Sequence, residues 1–94
     1  MSALSNWMAG RRPAPPADLA AALHVDDAGG AFDVALSLAA STRLADARSR
    51  PGRVRASAFR LLEADALVTY ACEAALETED PEGALRRILA STSD

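Results

Sequence analysis

The chain has no lysine or glutamine, only one asparagine, and a single cysteine, histidine, tryptophan and tyrosine. Each shortage excludes something. Without lysine, every cation must be placed as arginine. One cysteine, Cys72, cannot close an intrachain disulfide, which fits a reducing cytoplasm. Its position among apolar residues reads as a buried, inert thiol. The lone His24 and Cys72 lie on different elements, and Glu63, Glu73 and Glu77 have no histidine three residues on, so neither a metal site nor a di-iron bundle pattern forms. Ser57 has no histidine near it in sequence, and "DDAGG" lacks the context of a phosphate-binding loop. No enzyme activity and no cofactor are expected. No apolar run approaches the roughly 20 residues that cross a bilayer. The opening "MSALSNWMAGRRPAPPAD" has an arginine pair with no hydrophobic stretch after it, which fails as a secretory signal. The expectation is a cytoplasmic protein that does not enter a membrane.

What the chain does have is alanine. Of its 94 residues half are apolar, and 23 of those 47 are alanine, which buries little area; 12 leucines supply most of the bulk. At about 25 cal/mol per Å² of apolar surface, such a core offsets chain entropy narrowly. A partner chain would help. The heavy use of Ala, Arg, Asp and Leu is that of a GC-rich bacterial genome.

The periodicity and punctuation predict an all-α fold, a small antiparallel bundle of about four helices, two long and two short. Residues 1–16 read as an extended or loosely docked segment, because Pro13, Pro15 and Pro16 remove donors and restrict their neighbours. Trp7, with Leu4 and Met8 on the same helical side, is the part of that segment with something to bury. Residues 17–94 form the single bundle domain. Helices are expected at 17–24, 31–48, 53–78 and 81–90. Asp26 or Asp27 is the candidate cap of the second, "SRPG" turns the chain into the third, and Asp80 caps the fourth with Pro81 in its first turn.

The long third helix is apolar on two sides. Val54, Ala58, Leu61, Val68, Cys72, Ala75 and Leu76 make one stripe at 100° per residue; Phe59, Ala66, Tyr70 and Ala74 make another, nearly opposite. The first stripe is assigned to the core. One helix of about 18 residues and two short ones give thin cover to both, so the Phe59, Ala66 and Tyr70 side is the expected interface of a homodimer. The competing arrangement closes that side with the short helices and the Trp7 segment.

Two charges fall on apolar faces. Asp65 lies within the first stripe, and Arg43 points along the Phe32–Leu36–Ala39 direction of the preceding helix. Isolated buried charge is costly, so Arg43 and Asp65 are expected to meet as a structural ion pair that fixes register.

Charge is unevenly distributed. Residues 1–42 sum to −2, residues 43–60 to +5 and residues 61–94 to −6. Within the basic stretch "RLADARSRPGRVRASAFR", Arg48 and Arg50 sit where a helix C-terminus favours cations, whereas Arg53 and Arg55 sit in a first turn, against the dipole. Arg50, Arg53 and Arg55 are therefore the candidate anion or partner site. No aromatic interleaves for base stacking and no recognition-helix signature appears. An acidic protein partner is favoured over nucleic acid.

"EADALVTYACEAALE" resembles a helix of polyprenyl diphosphate synthases. The resemblance would imply magnesium and diphosphate held by two DDxxD motifs. Here the only adjacent acidic pair, Asp26-Asp27, is followed by Ala-Gly-Gly, so no residue is carried over. The residues favour a small non-catalytic assembly or adaptor module. An arginine-mediated nucleic-acid or phosphate binder is the alternative.

Overall fold

The computed structural model describes residues 3–26, 30–49 and 54–92, with Val54 described by its backbone only. Five helices follow one another: α1 (Ala3–Ala9), α2 (Ala17–Ala22), α3 (Phe32–Arg48), α4 (Val54–Ala75) and α5 (Pro81–Thr92). No strand occurs among the described residues. The all-α expectation holds, and α4 runs without a break through all 22 of its residues.

The starts and stops have local causes. Asp80 accepts a hydrogen bond from the Gly83 N–H at 3.1 Å, and Pro81 opens α5 without needing a donor. A Cβ at Gly83 would collide with that carboxylate, so the cap and the glycine go together. The expected cap of α3 is different: its N-cap is Ala31, without a side-chain bond. Asp27, one candidate for that role, lies outside the described residues. Arg48 does occupy the last turn of α3, where the helix dipole welcomes it.

The expectation of an extended or loosely docked segment over residues 1–16 needs correction. Residues 3–9 are helical, and Leu4 is fully buried. Seven residues make a marginal helix on their own, so α1 is held by what it touches. Trp7 packs on Phe32 with ring centroids 5.8 Å apart and meets Tyr70 edge-on at 6.5 Å. Among the described residues of that segment, Gly10 to Pro16 are non-helical.

Contacts give the helix directions. Arg43 pairs with Glu63 and Asp46 with Arg60, so α3 and α4 run antiparallel. Asp33 faces Arg87 and Ser37 bonds Ser91, so α5 runs parallel to α3 and therefore against α4. The core between them is small in grain: Leu4, Leu36 and Leu67 are its fully buried large apolar side chains, surrounded by Ala40, Ala71, Ala75 and Ala84. Alanine lets helix backbones approach closely but removes little apolar surface from water, and dispersion across the tight contact carries much of the cohesion.

Candidate interaction surface

The buried face of α4 is not the stripe expected from its large residues. Glu63, Ala64, Leu67, Tyr70, Ala71, Ala74 and Ala75 are buried, a repeat of three and four residues that marks one helical face. Leu61 and Leu76, which head the expected core stripe, are exposed, and Val68 and Cys72 are half-buried at the edge of the core. Ala75 is the member of that stripe that is fully buried.

This rotation of the core face changes the ion pair. Asp65 is exposed, and the carboxylate that Arg43 meets belongs to Glu63. Two residues along a helix turn the side chain by about 200°, so Glu63 and Asp65 cannot share a face. Glu63 is 0 % exposed and two arginines satisfy it. Arg43 Nε donates to its Oε1 at 3.2 Å, and Arg60 Nη1 donates to Oε1 at 3.0 Å and to Oε2 at 3.1 Å. Arg43 also donates through Nη2 to the His24 carbonyl at 2.8 Å, and Arg60 Nε reaches Asp46 Oδ2 at 2.9 Å. A buried carboxylate accepting three charge-assisted hydrogen bonds fixes register between α3 and α4; an unpaired one would cost several kcal/mol, of order 3–5. The role expected of Asp65 is thus filled by Glu63, two residues earlier.

The same geometry decides part of the arginine question. Arg43 and Arg60, the first and last of the basic stretch, are committed to Glu63. Arg55 is exposed on the first turn of α4, and Arg48 is exposed at the end of α3. Arg50 and Arg53 lie outside the described residues.

The flank of α4 bearing Phe59, Ala66 and Tyr70 was the expected dimer interface. Tyr70 is buried inside its own chain instead, and Ala66 packs against the core. Phe59 is half-buried. The cover is α1. Besides its ring contacts, Trp7 donates from Nε1 to Glu77 Oε1 at 3.1 Å, and Arg11 lies 3.4 Å from Glu77 Oε2 with its guanidinium carbon 4.4 Å above the Trp7 ring. Burial, reinforced by the neighbouring Glu73 carboxylate, raises the Tyr70 hydroxyl above its ordinary 10.0. Tyr70 belongs to the interior.

The open apolar surface lies elsewhere. Six of the 12 leucines are exposed: Leu38, Leu61, Leu62, Leu76, Leu85 and Leu89. Leu61 and Leu62 stand on the outer side of α4, and Leu76 follows directly after its last turn. Leu85 and Leu89, one turn apart on α5, occupy the flank away from the Arg87 and Ser91 contacts with α3. Val34 and Leu38 form a further exposed pair one turn apart on α3. A helical-wheel reading weighted by side-chain size finds the open set readily, but assigns it to the core.

Among the described residues, no three His, Cys, Asp or Glu side chains gather as a metal site would require, and no helix is long and apolar enough to cross a membrane. Comparison with known protein families, curated proteins and solved structures returns no match to the chain.

Proposed function

We propose that this chain is a small non-catalytic assembly module, an adaptor of a bacterial cytoplasm, that pairs with a second copy of itself. The pairing surface is the outer side of α4, with Leu61 and Leu62 in its N-terminal half and Leu76 just past its C-terminal end. One observation carries the reading: half of the leucines, the main bulky residue of an alanine-rich chain, are left in water. Several large apolar side chains exposed on one side of a small domain mark an interaction site, and a second copy covers them without requiring any other gene product. The exposed pair Val34 and Leu38 on α3 gives such a module a separate apolar face for another protein, and exposed Arg48 and Arg55 give it a cationic corner for an acidic one.

The alternative reading, an arginine-mediated nucleic-acid or phosphate binder, has less to draw on than the residue count suggests. Arg43 and Arg60 already neutralise Glu63, and Arg60 holds Asp46 as well. Affinity for nucleic acid scales with free cations facing the phosphates.

Light scattering at micromolar concentration tests the reading. The expected result is a species of twice the 9.8 kDa chain mass, reduced to the single-chain mass by Leu61→Glu with Leu76→Glu, at an unchanged helical content. A single-chain mass for the unmodified protein at every concentration would refute the pairing.

A further inference from the structure

Granted the pairing proposed above, on which this orientation rests, the charges along α4 say how the second copy lies. At about 100° per residue, Leu61, Asp65, Thr69, Cys72 and Leu76 fall within about 80° of arc on the outer side. Leu76 keeps to that stripe although α4 ends at Ala75, because its N–H still donates to the Cys72 carbonyl at 3.2 Å. All five are exposed except Cys72, a free cysteine that is half-buried. The leucines therefore stand at the two ends of the stripe, with Asp65 and Thr69 between them.

A symmetric pair can lay its two α4 helices side by side in parallel or antiparallel. Both arrangements cover the leucines. The parallel one sets Leu61 on Leu61 and Leu76 on Leu76; the antiparallel one sets each Leu61 on Leu76 of the other copy. The charges separate the two. Arg55 is exposed in the first turn of α4, and Glu79 is exposed in the turn after Leu76. Neither enters an ion pair among the described residues, and nor does the exposed Asp65. Glu77 and Glu82, near Glu79 in sequence, are already met by Arg11 and Arg86.

A parallel pair brings Arg55, Asp65 and Glu79 each against its own copy, so like meets like at both ends and in the middle. The antiparallel pair brings the Arg55 end of one copy to the Glu79 end of the other, twice by symmetry. It also sets Asp65 across from Cys72 and not from a second aspartate. Like charges facing across an interface are unfavourable, and opposite ones fix register. We propose that the two α4 helices pack antiparallel about a twofold axis near Thr69, with Leu61 of each copy on Leu76 of the other and Arg55 towards Glu79.

Cysteine cross-linking reads that register. Two Cys72 residues, or two cysteines placed at position 65, would lie roughly 10 Å apart along the axis. A disulfide tolerates no more than about 7 Å between Cα atoms. The full chain is oxidised with copper phenanthroline at micromolar concentration and read on a non-reducing gel. Asp65→Cys should cross-link through native Cys72 of the other copy. The same substitution combined with Cys72→Ser should not, and nor should the unmodified chain. Thr69→Cys with Cys72→Ser, beside the axis, should cross-link and so report that the outer sides meet. In light scattering, Arg55→Glu should weaken pairing by about tenfold, and adding Glu79→Arg should restore it. Self-linking of Asp65→Cys in the Cys72→Ser chain, or no rescue by Glu79→Arg, would overturn the antiparallel orientation while leaving the pairing intact. A single-chain mass with no cross-link from Thr69→Cys would instead refute the pairing, and the orientation with it. A dimer mass without that cross-link would put the interface on another face and overturn both.

Discussion

The two flanks of α4 carry similar apolar content and have opposite fates. On one, Tyr70 is covered by α1 and Ala66 packs against the core, with Trp7 tilted against Phe32 and tied to Glu77. On the other, Leu61 and Leu76 stay in water, Leu76 at 65 % exposure. The difference is one of supply. A chain with a single tryptophan and one tyrosine has enough bulk to close one flank, and it spends its aromatics there. The remaining helices are alanine-rich and sit close to α4 without reaching round it. Large aliphatic residues at the surface of such a small bundle are the surface on which the proposed second chain would pack.

The comparison can be broken most severely at the charge beneath it. Glu63→Ala removes the acceptor shared by Arg43 and Arg60 and is expected to destabilise by about 3 kcal/mol, because two arginines lose a buried partner. Asp65→Ala, two residues away and exposed, should stay within about 0.5 kcal/mol. Chemical denaturation of both variants checks the pair of values. Equal losses would mean that the helix is rotated from the position described.

Next in size is the cover itself. Trp7→Ala should cost about 2 kcal/mol, less than a fully buried aromatic because Trp7 is half-buried. It should also expose Tyr70 and Phe32, so that the closed flank comes to resemble the open one and a hydrophobic dye binds where none bound before. A melting curve superimposable on that of the unmodified chain would show that α1 contributes nothing.

A smaller effect follows from Tyr70. Its neutral form is favoured in the folded state, so the unfolded chain releases this proton first, near 10.0. The stabilisation is complete below that pH and is lost as pH climbs through the higher folded value, at a rate of no more than about 1.4 kcal/mol per pH unit. With no lysine and one tyrosine in the chain, the alkaline titration has little background. Tyr70→Phe should flatten the stability profile above pH 10. A profile unchanged by that substitution would place Tyr70 in water.

The smallest effect belongs to the open flank. Leu61→Ala and Leu76→Ala should each change the stability of the single chain by no more than about 0.5 kcal/mol, measured at dilution, because neither side chain is withdrawn from solvent within the chain. A loss of 2 kcal/mol or more at either position would mean that it is a core residue after all.

These contrasts show what could be read beforehand and why the rest could not. Helix ends with chemical markers were legible: Asp80 and Pro81 open α5, and Arg48 closes α3. α1 was not, because seven residues hold too little periodicity to distinguish a helix from a tail, and its order comes from Phe32, Tyr70 and Glu77, distant in sequence. The face of α4 was misjudged because leucine and valine dominate any size-weighted count. In an alanine-rich helix the buried face is the one where small residues recur, here Ala64, Ala71, Ala74 and Ala75 around Leu67. The signal that could have found it is Arg60 three residues before Glu63: an i,i+3 pair at the margin of that alanine face, with Arg43 across from it. Arg43 pairs with Glu63 rather than Asp65, and Tyr70, expected at a dimer interface, lies in the interior. Their roles followed from the rotation of the helix, whose buried face lies about a third of a turn from the expected stripe.

The central claim is that α4 has one sealed flank and one that receives a second chain. Side-chain methyl and indole NMR spectra recorded through a dilution series test it most directly. The account predicts that the methyl resonances of Leu61, Leu62 and Leu76 shift with concentration while the Trp7 indole resonance stays in place. Leucine methyls that do not move, or a Trp7 indole that moves with them, would contradict it.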